Sequence, residues 1–264
     1  MTDIRTARAW AEVNLDALAR NYRLLRGLAP GAKFLGLVKA DAYGHGAVPV
    51  ARKLQALGAD MLAVACLAEA VQLRRAGLTL PVLCLGQTPP ELAGLLLEYG
   101  VTQTVGDLET GRALSAAAVA AGKTLNIHVK VDTGMGRLGF VYYQDGDEAA
   151  LERAGRESEA LRALPGLEAE GIFTHFADAD GSEAYTSNQY DRIQDVIGEL
   201  WDRGLHPFQI YHCAASAAVL NYPWTQNHMN MIRPGIALYG CMPGPGMENP
   251  GLEPVMTLKS RVAV

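Results

Sequence analysis

Phe34-Leu-Gly-Leu-Val-Lys39-Ala-Asp-Ala-Tyr43-Gly-His-Gly46 is the stretch that decides how this chain is read. An apolar run too short for a buried helix ends on a lysine. A glycine-rich turn carrying a tyrosine follows at once. Side chains alternate along an extended strand, so Leu35, Leu37 and Lys39 share one face. Lys39 therefore stands at the end of a buried face, where lost hydration lowers an amine's pKa. A neutral amine attacks an aldehyde, which is how a lysine forms a Schiff base. The other reading of the same residues is a strand that reaches the surface with a solvated lysine. The surrounding sequence weighs between the two.

Outward from this stretch, strand-like and helix-like segments alternate. Strands are expected at 34–38, 61–66, 81–85, 101–105, 125–131, 167–174 and 208–212. A further strand or turn near 232–239 would complete eight. Helical spacing marks 16–28, 48–57, 68–76, 89–98, 108–121 and 187–203. Repeated βα units with apolar strands imply a parallel sheet buried on both faces. About eight such units fit an α/β fold of the closed (β/α)8, TIM-type barrel kind. An open doubly wound sheet is the alternative, but no G-x-G-x-x-G fingerprint follows the first strand. The segment Leu125-Asn-Ile-His-Val-Lys-Val-Asp132 has two unlike faces. Ile127, Val129 and Val131 share one, and Asn126, His128, Lys130 and Asp132 the other. In a barrel the apolar face meets the helices and the polar face points inward. On an antiparallel edge strand the polar face would instead meet water.

Composition limits the classes of function. The chain has 264 residues, enough for one large α/β domain or a domain plus a fragment. Hydrophobic residues make up 49% and charged residues 19%, which excludes a disordered chain. The net charge of −5, with no basic block, argues against nucleic acid as a partner. No apolar run reaches the roughly 18 residues that cross a bilayer, and the start lacks the apolar core of a signal peptide. Cys66, Cys84, Cys213 and Cys241 are far apart and form no CxxC, which disfavours metal binding and a disulfide framework. Three of the four lie in apolar contexts and read as small core residues. A reducing cytoplasm is the expected setting. Residues 9–13 and 257–264 alternate like strands, and 241–254 is rich in Gly and Pro like a linker. The expected division is an N-terminal strand over 1–14, a barrel over 15–240, and over 241–264 a linker with the first strand of a truncated C-terminal β domain, to which the N-terminal strand also belongs.

In a barrel of this kind, chemistry gathers at the C-terminal ends of the strands. Lys39, Arg137, His175, His212, Ser216 and Arg233 all fall at or just beyond such ends. Each has a plainer reading. Arg137 could be a solvated loop residue, and His175 and His212 satisfied core histidines. Ser216 could be a helix N-cap, and Arg233 a surface turn residue. Their joint position favours one site.

The ordered motifs then carry a resemblance. They are Val38-Lys-Ala-Asp-Ala-Tyr-Gly-His-Gly46, Val131-Asp-Thr-Gly-Met-Gly-Arg-Leu-Gly139, Thr174-His-Phe-Ala-Asp-Ala-Asp180, His212-Cys-Ala-Ala-Ser216 and Arg233-Pro-Gly-Ile-Ala-Leu-Tyr-Gly240, with the opening Ala9-Trp-Ala-Glu-Val-Asn-Leu-Asp16. Together they resemble the N-terminal barrel of bacterial alanine racemases, enzymes that use pyridoxal 5'-phosphate (PLP) to interconvert L- and D-alanine and supply D-alanine for the cell wall. The resemblance implies that Lys39 holds PLP through its amine and returns as one of two acid/base groups. It implies that Tyr43, Ser216 and the Gly235 and Ile236 amides bind the phosphate, and that His175 packs near the ring. It implies that Arg233 faces the pyridine nitrogen, held by His212, and that Arg137 meets the cofactor's phenolic oxygen and the substrate carboxylate. Lys130 occupies the place of a lysine that the family commonly carries carbamylated. The partners implied are alanine and, in the full-length family, a second copy in a homodimer, with no nucleic acid and no membrane.

Two departures stand beside the resemblance. Ala215 replaces the asparagine of the family's His-x-Ala-Asn-Ser, so a side-chain amide near the cofactor is missing. The family's second acid/base is a tyrosine of a C-terminal β domain, in a region beyond Val264. The expectation is therefore a PLP-dependent racemase whose turnover is impaired in the chain as given. The alternative is a single-domain protein that binds and carries PLP without racemisation.

Overall fold

The computed structural model describes residues 7–205 and 207–262. A short strand, β1 (Ala9–Val13), leads into the helix Leu15–Gly27, capped by Asn14, whose side chain accepts from the Asp16 and Ala17 amides. The barrel strands follow: β2 (Lys33–Leu37), β3 (Met61–Val64), β4 (Val82–Cys84), β5 (Val101–Val105) and β6 (Leu125–Asp132). After a two-residue strand, β7 (Phe140–Val141), come β8 (Leu167–Phe173), β9 (Ile210–His212) and β10 (Met231–Ile232). The parallel order is β10-β2-β3-β4-β5-β6-β8-β9, with β7 pairing to β6. A parallel bridge between Ala215 and Arg233 joins the two ends, and the Arg233 amide donates to the Ala214 carbonyl at 2.9 Å. The ring is thereby closed, as the alternating pattern predicted.

Strand register sorts side chains between two environments. Phe34, Leu62, Val82, Val105, Ile127 and Val129 belong to the large cluster between strands and helices. Leu35, Leu37, Met61, Ala63, Leu83, Ile210 and Met231 fill a separate apolar cluster inside the barrel. Lys39 lies just beyond that inner face, so it emerges over an apolar floor. On β6 the other expectation holds for three of its four polar residues, while Asn126, near the start of the strand, is exposed and donates to Glu170. His128, Lys130 and Asp132 are buried, and His128 bonds across the interior to β9. The β6–β8 register shifts where Ala169 and Gly171 face consecutive β6 residues, which leaves Glu170 as an extra residue, a β-bulge. A Cβ at Gly171 would lie 2.7 Å from the His128 ring, so glycine here makes room for the imidazole.

Several expected boundaries change. The helix Glu148–Arg162 had no counterpart in the sequence pattern. It buries Ala150, Ala154, Gly155 and Ser158 with only Leu161 as a large apolar residue, so its inner face is small rather than hydrophobic. The helix expected from 187 starts at Glu183, where the Ser182 side chain caps it. Residues 89–98 split into a 3-10 turn, Pro90–Leu92, and the helix Ala93–Tyr99. Ser216 is not an N-cap. Ala215 is, and Ser216 is the first residue of the helix Ser216–Asn221. Cys84 and Cys213 are buried, but Cys66 and Cys241 are exposed, so two rather than three of the cysteines are core residues.

The Gly/Pro-rich segment 241–254 is tied down at its end. Asn21 donates to the Glu253 carbonyl and accepts from its amide. Leu252 and Val255 are buried. The strand β11 (Met256–Ser260) then pairs antiparallel with β1, from Ala9 opposite Ser260 to Val13 opposite Met256. Of the strand expected over 257–264, residues 263–264 lie outside the described residues, as do 1–6 of the N-terminal segment. No described helix is long and apolar enough to cross a membrane.

Candidate active site

Lys39 opens a turn that the sequence did not announce. Ala40, Asp41, Ala42 and Tyr43 all have φ between 50° and 55°. Four consecutive non-glycine residues thus form one left-handed helical turn, at about 1–2 kcal/mol per residue. Local bonds compensate. The Ala42 amide donates to the Val38 carbonyl, the Gly44 amide to that of Ala40, and the Gly46 amide to that of Asp41, all at 2.9–3.0 Å. The Asp41 carboxylate accepts from the Ala47 amide at 2.7 Å, where the next helix begins. The result is that Lys39 and Tyr43 line one cleft, the Lys39 amine 5.8 Å from the Tyr43 ring centre.

Opposite this turn lies a cluster of donors and hydroxyls. Ser216 Oγ accepts from the Gly235 amide at 2.9 Å and the Ala237 amide at 3.2 Å. A Cβ at Gly235 would fall 2.6 Å from the Tyr43 hydroxyl oxygen. Glycine therefore lets a hydroxyl, a serine and backbone amides crowd into one place, which is the composition of an anion cradle. Ala237, to which the resemblance gave no role, is a member of this cluster through its amide, and Ile236 lines the same space.

The floor is polar and charged. Arg233 is 3% exposed. It donates from one nitrogen to His212 Nδ1 at 2.8 Å and from the other to His175 Nδ1 at 3.1 Å, with further bonds to the His212 and Cys213 carbonyls. A guanidinium only donates, so His212 must accept at Nδ1 and carry its proton on Nε2. That nitrogen meets His128 Nδ1 at 2.8 Å. His128 then carries its proton on Nε2, which lies 3.4 Å from Glu170 Oε1. The hydrogen-bonded chain from Arg233 to His128 has one consistent polarity, with two neutral imidazoles in it and the Glu170 carboxylate close to its end. Burial lowers the pKa of both, His212 well below the ordinary value, and the Arg233 charge adds to each. Burial also holds His175 down to about 3, with Arg233, Arg137, Lys130 and Lys39 contributing. Burial, with Arg137 nearby, lowers Arg233 to about 10, so it stays protonated at neutral pH.

Two more cations face the cleft. Arg137 is exposed at its rim, on a loop pinned by Asp132, whose carboxylate accepts from the Gly134, Gly136 and Arg137 amides at 3.0 Å each. Lys130 is buried, donates to the Val131 carbonyl at 2.6 Å, and is pushed down to about 7 by burial, with Arg233 and Arg137 adding to the shift against the opposing charge of Asp132. Burial also lowers the Lys39 amine, followed by the charge of Arg137, then the opposing charge of Glu69, then Arg233.

The cleft holding Lys39, Lys130, Arg137, His175 and Arg233 encloses about 250 Å³. It adjoins the space lined by Tyr43, Ser216, Gly235 and Ile236, with Lys39 and His175 common to both. All the residues singled out in the sequence meet here except His212, which lies beneath Arg233. Glu170, Asp132 and Glu69 were not singled out. Asp132 and Glu69 act through hydrogen bonds to backbone amides of the site, and Glu170 lies against His128; of the three only Asp132 stands within a quoted motif, which did not give it this role. The arrangement places a nucleophilic amine between an anion cradle and a buried arginine. It suits a flat, phosphate-bearing carbonyl compound, with Arg137 set to meet a carboxylate.

Residues 13–243 match the family described as the N-terminal domain of alanine racemase. An alanine racemase of Desulforamulus reducens is 44% identical over 257 residues, covering 96% of this chain and 66% of the relative. One from Clostridium perfringens is 39% identical over 99% of this chain and 66% of its own length. Among solved structures, the alanine racemase of Clostridium difficile 630 in complex with cycloserine superposes with a TM-score of 0.89 at 39% identity, over 97% of this chain and 68% of that one. The Bacillus anthracis alanine racemase with bound L-Ala-P gives 0.83 at 36%, over 95% and 63%. The chain thus spans about two thirds of the length of the curated relatives it matches. On this footing the chain belongs to the alanine racemase family, in the region of its N-terminal domain.

Proposed function

We propose that this chain forms the PLP-binding part of an alanine racemase that interconverts L- and D-alanine. The observation that carries the reading is the convergence of the Lys39 amine, the Ser216–Gly235 cradle and the buried Arg233 in one cleft. The residues fit the cofactor. Tyr43, Ser216 and the amides around Gly235 would hold its phosphate, Lys39 its aldehyde carbon, and Arg233 its ring nitrogen. When bound, PLP supplies an aldehyde for amines and an electron-withdrawing ring that acidifies the Cα–H of an attached amino acid.

The protein's own groups do the rest. Lys39, with its affinity for protons lowered by burial, supplies a neutral amine for attack and then takes or returns a proton on its own face of Cα. Racemisation requires a second acid/base on the opposite face, for which the resemblance implies a tyrosine of a further domain. Arg233 keeps its proton and offers a hydrogen bond without giving the proton up. With PLP bound, Arg233 would thus leave the ring nitrogen unprotonated and temper the ring's electron withdrawal. Arg137 would hold the alanine carboxylate.

The test is to add PLP to the 264-residue chain and follow both its uptake and the conversion of L- to D-alanine. The proposal expects uptake with slow conversion in the chain alone, and conversion restored in a longer chain carrying the further domain. Uptake with no conversion in either would favour a PLP carrier instead. Ser216→Ala is expected to weaken PLP binding by about 1–3 kcal/mol, the value of a hydrogen bond to a charged group. A direct titration with unchanged affinity would remove Ser216 from the cradle.

The same reading makes Lys130 a carbamylated lysine. An amine held near 7 is about half in the neutral form at neutral pH, and that form adds CO2 with release of a proton to solvent. The product would be an anion beside Arg137 and Arg233, the two cations that oppose the ammonium. The unmodified amine leaves a trace in stability. An unfolded lysine keeps its proton to about pH 10.4, and the folded one only to about 7. Between those values the unfolded chain binds more protons, so stability rises with pH through that window. Below it both states are protonated and the contribution is flat. In carbonate-free buffer, Lys130→Met is expected to remove this rise in a series of denaturant titrations. An identical pH dependence in the variant would show that Lys130 is not depressed.

The proposal extends to a cytoplasmic homodimer. Cys66, Cys84, Cys213 and Cys241 are unpaired, as in a reducing compartment. Among the described residues the β1–β11 ribbon is a two-stranded sheet with open edges, and Leu258 on it is 78% exposed. Such a ribbon is marginal by itself and suits pairing with further strands.

A further inference from the structure

The peptide that follows Lys39 is held from outside its own strand. The β2–β3 ladder ends with the Val38 amide donating to the Ala63 carbonyl at 2.9 Å. One residue beyond it on β3's side is the Val64–Ala65 step, and beyond it on β2's side is Lys39. Glu69, in the first turn of the helix Leu67–Arg75, spans this gap. Its Oε1 accepts from the Ala40 amide at 2.7 Å, and its Oε2 accepts from the Ala65 amide at 2.7 Å. Ala40 is the first residue of the left-handed turn. Four consecutive residues in that conformation persist only where surrounding structure over-determines them. Two short, charge-assisted bonds to one carboxylate are such a constraint.

The geometry points to Glu69 as a positioning residue, a carboxylate clamp that joins the Lys39–Ala40 peptide to the end of β3 and so fixes where the Lys39 amine stands. This rests on the reading of Lys39 as the amine that holds PLP. The clamp needs both carboxylate oxygens. A glutamine there keeps the shape but turns an NH2 group toward one of two N–H donors. Glu69 also brings negative charge to a site otherwise dominated by cations. Lys39 is faced by Arg137 from the loop after β6 and by Arg233 after β10. His175 after β8 and Tyr43 from its own turn share the cleft, and Lys130 of β6 lines it deeper down. Among the charges acting on Lys39, Glu69 favours the ammonium and the two arginines oppose it.

The experiment compares the chain with Glu69→Gln and Glu69→Asp, without cofactor and then with PLP. Amide hydrogen exchange reports on Ala40. Reductive methylation with 13C-formaldehyde, assigned through Lys39→Arg, reports the Lys39 titration by NMR. Glu69→Gln is expected to speed Ala40 exchange tenfold or more, to move the Lys39 titration to lower pH, and to slow PLP linkage at Lys39. Glu69→Asp keeps the charge but is one methylene too short to reach both amides. It should release Ala40 while leaving the Lys39 titration nearer its original place, and it provides the test if the glutamine variant does not fold. Unchanged Ala40 exchange in both variants would overturn the clamp. Release of Ala40 with a shifted titration, in a chain that never takes PLP at Lys39, would support the clamp and overturn the proposed function instead.

Discussion

Replacing Lys39 with arginine is expected to slow PLP-dependent exchange of alanine's α-hydrogen with solvent by about 10²–10⁴-fold, the usual value of one positioned acid/base group. Exchange is the informative reaction because it needs a base on one face of Cα only, whereas racemisation needs groups on both. The substitution keeps a long cation in place, so the electrostatics beside Arg137 and Arg233 change little. What it removes is the ability to exist as a neutral amine, since a guanidinium does not deprotonate in proteins. In the unsubstituted chain burial lowers the proton affinity of Lys39, which makes its neutral form more accessible. Deuterium incorporation into one enantiomer, followed by NMR, measures the effect. Exchange at the original rate in Lys39→Arg would place the base elsewhere.

Arg233→Leu is expected to lower stability by about 2–4 kcal/mol. The leucine leaves three acceptors without their donor, His212 Nδ1, His175 Nδ1 and the Cys213 carbonyl, while the His212 carbonyl keeps the Thr174 amide. Each buried orphan costs about 1–3 kcal/mol. Relief from burying a charge offsets part of the sum. At about 2–4 °C per kcal/mol for a chain of this size, the melting temperature should fall by roughly 5–15 °C. Arg233→Lys separates charge from geometry. An ammonium keeps the positive charge but not the planar fork that reaches His212 and His175 together, so it should fall between the two. A melting temperature unchanged in Arg233→Leu would mean that the bonds from Arg233 through His212 to His128 do not hold the floor of the cleft.

Much of this site was legible because strands impose a strict period. Leu35, Leu37 and Lys39 could be assigned to one face from spacing alone, and so could His128, Lys130 and Asp132, because a strand offers only two faces. The helix Glu148–Arg162 escaped because its buried side is made of alanine, glycine and serine, which give no hydrophobic period. The left-handed turn escaped for a different reason. Alanine and tyrosine do not favour positive φ, and what holds Ala40–Tyr43 there is tertiary: Glu69 on one side and the Asp41 cap on the next helix. Glu170 reaches His128 from a bulge, and a bulge is set by the register between two strands rather than by either sequence. The positions of Arg137, His175, Ser216 and Arg233 were suggested by strand ends. Which of them touch was decided by the closure of the barrel at Ala215 and Arg233.

The most direct test of the account is to reduce the PLP-loaded chain with borohydride and map the modified peptide by mass spectrometry. Reduction fixes the carbon–nitrogen bond to whichever amine carries the cofactor. The account predicts one modified site, Lys39, and no modification of the Lys39→Arg chain. PLP fixed on another lysine, or a chain that leaves no label at all, would contradict it.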